Sequence, residues 1–135
     1  MNLTPLLDIF DELPAYAAAE TAVDGRTAEL VLGLPRSARP PILAKLAMGR
    51  RVPILLVAGR VEQVPIWMQE LEAWLPEGHT LVRFPEATPL PYERGPWGEN
   101  SRQQRLTVLS HLMAGQHPLI PAEDTPLLIV TSARA

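Results

Sequence analysis

The chain has 135 residues, enough for one domain with a real core, and 47% of them are hydrophobic against 20% charged. That balance excludes a disordered chain, and a net charge of −3 carries no overall signature of nucleic-acid binding, although local basic patches stay open. With no cysteine, disulfides and thiolate metal sites are excluded.

The N-terminus has no basic region, and Asp8 and Asp11 interrupt its apolar residues, so it does not read as a signal peptide. No stretch approaches the ~18 consecutive apolar residues of a membrane span. Thr4 can cap a helix whose first position is Pro5. Leu6, Leu7, Phe10 and Leu13 recur at helical spacing, and Pro14 ends or kinks that helix because it steers Leu13 away from the α region. Residues 15–23 are Ala-rich and suit a second helical piece, with Asp24-Gly25 as the turn after it. Residues 1–27 therefore read as an N-terminal helical segment, and residues 28–135 as the main domain.

Residues 28–32 form a short apolar run and a first strand candidate. Gly33-Leu34-Pro35-Arg36-Ser37-Ala38-Arg39-Pro40 comes next, followed by a helical pattern through Met48. A phosphate-binding loop sits at such a strand-to-helix turn and reads G-x-x-x-x-G-K-[ST]. Its glycines let the backbone wrap the phosphates, its Lys neutralises them and its hydroxyl holds Mg²⁺. Here Gly33 keeps the first glycine, while Ala38, Arg39 and Pro40 replace the Gly, the Lys and the Ser/Thr. The frame is kept without the chemistry. Arg39 retains a positive charge and Ser37 a hydroxyl, so residual anion binding at a helix start stands against a purely structural turn.

Residues 52–58 contain Ile54-Leu55-Leu56-Val57, a strand buried on both faces by its composition. Residues 62–75 suit a helix with Val64, Met68, Leu71 and Leu75 on one face, stopped by Pro76-Glu77-Gly78. Residues 80–84 are a third strand candidate. Residues 85–100 form a long Pro- and Gly-rich connection carrying Tyr92, Glu93, Arg94 and Trp97, and unstructured loops of that length are often functional. Those four residues form either a contact surface for DNA or a neighbouring domain, or a loop packed on its own domain. Residues 101–113 are helical, and residues 127–130 a fourth strand, whose edge is a candidate for bare apolar surface. Thr131 or Ser132 then looks like the cap of another helix, so the chain reads as a piece of a longer protein. Strands alternating with helices argue an α/β fold: a three-layer α/β/α arrangement with a mostly parallel sheet.

Arg50, Arg51, Arg60, Arg102 and Arg105 form either a basic patch or a solvated face. His79, His111 and His117 are too scattered for metal-ligand spacing, and Trp67 and Trp74 fall on one helical stripe that suits packing. No Ser/His/Asp or paired-carboxylate arrangement stands out.

Three pieces carry a family resemblance across residues 28–135: the Gly33–Arg39 loop after its strand, the segment Phe84-Pro85-Glu86-Ala87-Thr88-Pro89-Leu90-Pro91-Tyr92-Glu93-Arg94, and Arg102 to Leu109 followed by Leu128 to Ala135. In this order and spacing they resemble the N-terminal region of bacterial transcription-repair-coupling factors (Mfd), which is in turn similar to the repair protein UvrB. The resemblance implies a P-loop NTPase-like fold with a degenerate phosphate loop. UvrB has an intact loop and a long aromatic hairpin after its third strand, and residues 85–100 are too short and Pro-rich for that hairpin. The resemblance further implies a cytoplasmic DNA-repair protein whose full-length form binds stalled RNA polymerase, translocates on DNA with ATP and Mg, and recruits UvrA. Those activities belong to later domains, with the UvrA-binding domain following the last strand, so no cofactor and no membrane is expected for this piece. Its partners are then the other domains of the same protein. An ATP-binding domain of a UvrB-like or helicase-like enzyme is the alternative, and residues 38–40 discriminate: Gly-Lys-Thr would support it, and Ala-Arg-Pro opposes it.

Overall fold

The fold was taken from a computed structural model that describes residues 2–25, 29–48, 50, 52–87, 98–114 and 127–135. Its elements are a 3₁₀ helix at Thr4–Glu12, α1 at Pro14–Asp24, a 3₁₀ turn at Arg36–Ala38, α2 at Arg39–Ala47, β1 at Ile54–Ala58, α3 at Gln63–Trp74, β2 at Thr80–Arg83, α4 at Glu99–Ala114 and β3 at Leu127–Ser132. Together they make an α/β domain around an open, all-parallel sheet of three strands in the order β1-β3-β2.

Chain connectivity explains that order. From β1 the chain passes over β3 through α3 to reach β2, then returns through α4 to β3. The two crossovers run in opposite directions across the sheet, so they keep the same hand only on opposite faces. The packing agrees. Leu128 and Val130 of β3 lie in one apolar cluster with Leu71 and Val64 of α3 and Ala44 and Ala47 of α2. Leu127 and Ile129 point the other way, into a cluster with Val108 of α4. This period of two, with apolar residues at both parities, is why all six residues of β3 are buried.

Two sequence expectations change here. Residues 29–32 form no strand: they join no ladder among the described residues, and Val31 is 84% exposed. The apolar run records a preference for extended backbone and burial, but a strand also needs a neighbour to bond with (Ala28 lies outside the described residues). The terminal strand does not leave a bare edge. It is the central strand, and among the described residues the sheet's edges are β1 and β2.

The N-terminal segment packs into the main core through Leu7, which is fully buried. Its helix is 3₁₀ rather than α, and Leu3, not Thr4, holds the N-cap position with no side-chain cap, while Asn2 Oδ1 accepts from the Thr4 N–H at 2.9 Å. The Thr4 hydroxyl instead donates to the Trp74 carbonyl at 3.0 Å, and the Leu3 N–H to the Ala73 carbonyl at 2.8 Å. These bonds tie the chain start to the end of α3, where Phe10 meets Trp74 edge-on with ring centroids 6.5 Å apart. Lys45 of α2 clamps the same helix, 2.9 Å from Asp8 and 3.1 Å from Asp11. Pro14 acts as its chemistry requires: Leu13 before it is extended, and α1 begins at the proline. After α3, Gly78 turns the chain with φ at 90°, a conformation that favours glycine.

Candidate functional site

The loop at residues 33–41 leads into a helix, as a phosphate loop does, but it follows no strand among the described residues, and from Ala38 onward it offers no open amide. Gly33 is exposed, and a Cβ placed there would meet nothing within 4 Å, so lack of space does not account for the glycine. The chain then closes a 3₁₀ turn before α2. Within it the Ala38 N–H donates to the Pro35 carbonyl at 3.0 Å and the Arg39 N–H to the Arg36 carbonyl. Pro40 and Pro41 follow in the first turn of α2, have no N–H, and are buried. An anion at a helix start is held by free backbone amides. From Ala38 to Pro41 every amide is either already bonded or absent.

The side chains of this loop complete the picture. Ser37 and Arg39 are exposed, and Ala38 is half-buried. The Arg39 Nε donates back to the Leu34 carbonyl at 3.2 Å, bracing the loop. Proline is well suited to the first turn of a helix because its φ is already helical. Ala38, Arg39 and Pro40 therefore make a helix start closed by its own backbone bonds and by proline.

A second cluster forms at the carboxyl end of the sheet, the end where open α/β sheets bind their ligands. Phe84 continues from β2 and donates its N–H to the Val130 carbonyl at 2.9 Å. Its own carbonyl accepts from the Thr131 hydroxyl at 2.8 Å, and the Ser132 hydroxyl donates to Glu86 Oε1 at 2.7 Å. From the α4 side, Arg105 donates to the Pro85 carbonyl at 2.8 Å and lays its guanidinium over the Phe84 ring, 4.1 Å from the centroid. Finally, the Ala133 N–H reaches the Ala58 carbonyl at 2.9 Å, linking the ends of β3 and β1. Phe84-Pro85-Glu86, Arg105 and Thr131-Ser132, far apart in the chain, become one hydrogen-bonded unit. Sequence reasoning found these segments singly and missed their union. The signal was the Thr131-Ser132 pair closing the last apolar run: both residues belong to β3, and their hydroxyls reach Phe84 and Glu86 rather than start a helix.

Of the other candidates, Tyr92, Glu93, Arg94 and Trp97 lie outside the described residues, as do Arg51 and His117. The remaining arginines do not converge. Arg50 pairs with Asp24 at 2.8 Å and Arg102 with Glu99 at 2.6 Å, each on its own side of the fold. Trp67 and Trp74 pack against the main core. His79 sits before β2, and both its ring nitrogens are shut off from solvent without a hydrogen-bond partner. Burial pushes its pKa below the usual histidine value, and the nearby Pro76 backbone only partly opposes this. Among the described residues no three His, Cys, Asp or Glu side chains are grouped to hold a metal ion, and no helix is long and apolar enough to cross a membrane.

Fold and loops thus define an α/β domain with a proline-closed helix start and a braced carboxyl end. Comparison with protein-family models finds no match, and comparison with curated proteins finds none either.

Proposed function

We propose that this chain is a non-catalytic interaction module: the N-terminal, UvrB-like, P-loop-derived part of a bacterial transcription-repair-coupling factor. It serves transcription-coupled nucleotide excision repair as a scaffold for the other domains of its own protein. Recruitment of UvrA, release of stalled RNA polymerase and ATP-driven movement on DNA are work of the full-length protein, in the cytoplasm. The observation that carries the reading is the union of Phe84-Pro85-Glu86 with Arg105 and Thr131-Ser132. These are residues from two of the segments that carry the family resemblance, and their meeting gives those segments a common physical purpose. The occupied and missing amides at Ala38 to Pro41 favour a scaffold over the alternative of an ATP-binding enzyme domain.

A chimera tests this. The chain replaces the corresponding region of a coupling factor in cells lacking their own, and strand-specific repair is measured. The chimera is expected to restore repair of the transcribed strand. Its Arg105→Ala form is expected to restore it less well, because the loop beginning at Phe84 loses its brace. A chimera that is stably produced yet gives no strand-specific repair overturns the reading.

A further inference from the structure

One helix covers about two strands, since a helix with its side chains is about 10–12 Å across while neighbouring strands lie about 4.8 Å apart. On the face that α4 covers, the sheet has three strands, and α4 packs against β2 and β3. Among the described residues that leaves β1 bare. Its register pairs Leu55 with Ile129 and Val57 with Thr131, so both side chains look out on the α4 side. They floor a groove of about 510 Å³ whose wall is Leu109 and Leu112 of α4, and no charged side chain of the described residues lines it. Parallel strands of this composition are ordinarily buried on both faces.

Beside the groove stands a ridge. Leu106, Leu109 and Met113 recur at helical spacing along α4, with Leu109 at the groove's wall and Leu106 and Met113 farther round the helix from Val108 and the sheet. They are 56%, 47% and 71% exposed, and Leu55 and Val57 are 59% and 51% exposed. With about half or more of each of these five residues exposed, covering all of them on both copies buries on the order of 1,000 Å², the area a specific interface needs. A ridge next to a groove of matching chemistry on one face is self-complementary under a two-fold axis.

We propose that this face is a homodimer interface, in which α4 of each copy lies on β1 of the other. Leu106 and Met113 of one copy then cover Leu55 and Val57 of the second, and the two α4 helices meet at Leu109. Sedimentation velocity from micromolar to submillimolar concentration tests it. The full chain is expected to show a reversible monomer–dimer equilibrium. Leu106→Lys, on an exposed helix surface, and Leu55→Glu should each raise the dimer Kd about tenfold or more, because each places a charge in an apolar contact. Mixing the two variants should restore dimer. The mixed pair sets the introduced lysine of one chain near the introduced glutamate of the other and leaves the second contact wild type. Circular dichroism establishes that both variants are folded, and if Leu55→Glu is not, Leu106→Lys alone carries the test. A wild-type chain that stays monomeric throughout overturns the proposal. So does a dimer indifferent to Leu106→Lys, or two folded variants that fail to pair on mixing.

Discussion

Single residues set the chemistry at two places in this molecule. Pro40 and Pro41 remove the amides that an anion needs and fix the start of α2 instead. His79 is the opposite case, a polar group buried without a partner. Desolvation holds its folded pKa below 6.5, the value expected for the unfolded chain. Well above 6.5 the ring is neutral in both states and contributes no pH dependence. As pH falls through 6.5 the unfolded chain takes up a proton that the folded chain refuses, so stability drops until the folded pKa is reached. His79→Phe should flatten this segment of the profile and raise stability. Urea unfolding of both proteins at about pH 7.5 and about pH 5.5 measures it, with the larger gain expected at the lower pH. Equal pH slopes in the two proteins would remove His79 as the cause.

At the scale of elements, α3 is the hub. Its Val64 and Leu71, with Leu75 just after its end, reach the core cluster that also holds Leu7, α2 and β3. Leu71 is fully buried, so Leu71→Ala should cost about 2–5 kcal/mol, depending on how far the cavity collapses. Chemical denaturation reads that loss directly, and a change under about 1 kcal/mol would mean that α3 does not organise the core. This helix was legible because its apolar stripe, its polar face and its stop signal at Pro76-Glu77-Gly78 all agree. β1, β2 and β3 were legible as short β-branched runs, to within a residue or two at most ends. Residues 29–32 carry the same local signal and form no strand, since a strand is completed by its neighbour and composition does not name one. The 3₁₀ geometry of Thr4–Glu12 was hidden for a related reason: its length and apolar spacing fit an α-helix, and its ties to Ala73 and Trp74 are tertiary.

Over the whole molecule, strand order was the least legible property. Alternating helices and strands implied a parallel sheet, but nothing in the last strand announced that it would slot between the first two. The carboxyl-end cluster inherited that opacity. Ser132 and Glu86 meet only because β3 lies beside β2, and among the described residues β1 is left uncovered on the α4 side because one helix does not span three strands. In the loop at residues 33–40, the helix start at Arg39 was readable because Pro40 and Pro41 suit a first turn, while the strand expected before the loop was not formed. The central proposal, that this α/β domain is a scaffold and not a nucleotide-binding enzyme domain, is tested most directly by calorimetric titration of the chain with Mg-ATP. The account predicts no binding at submillimolar nucleotide, with weak phosphate binding at most after Gly-Lys-Thr is restored at positions 38–40. Submillimolar affinity in the unaltered chain would contradict it.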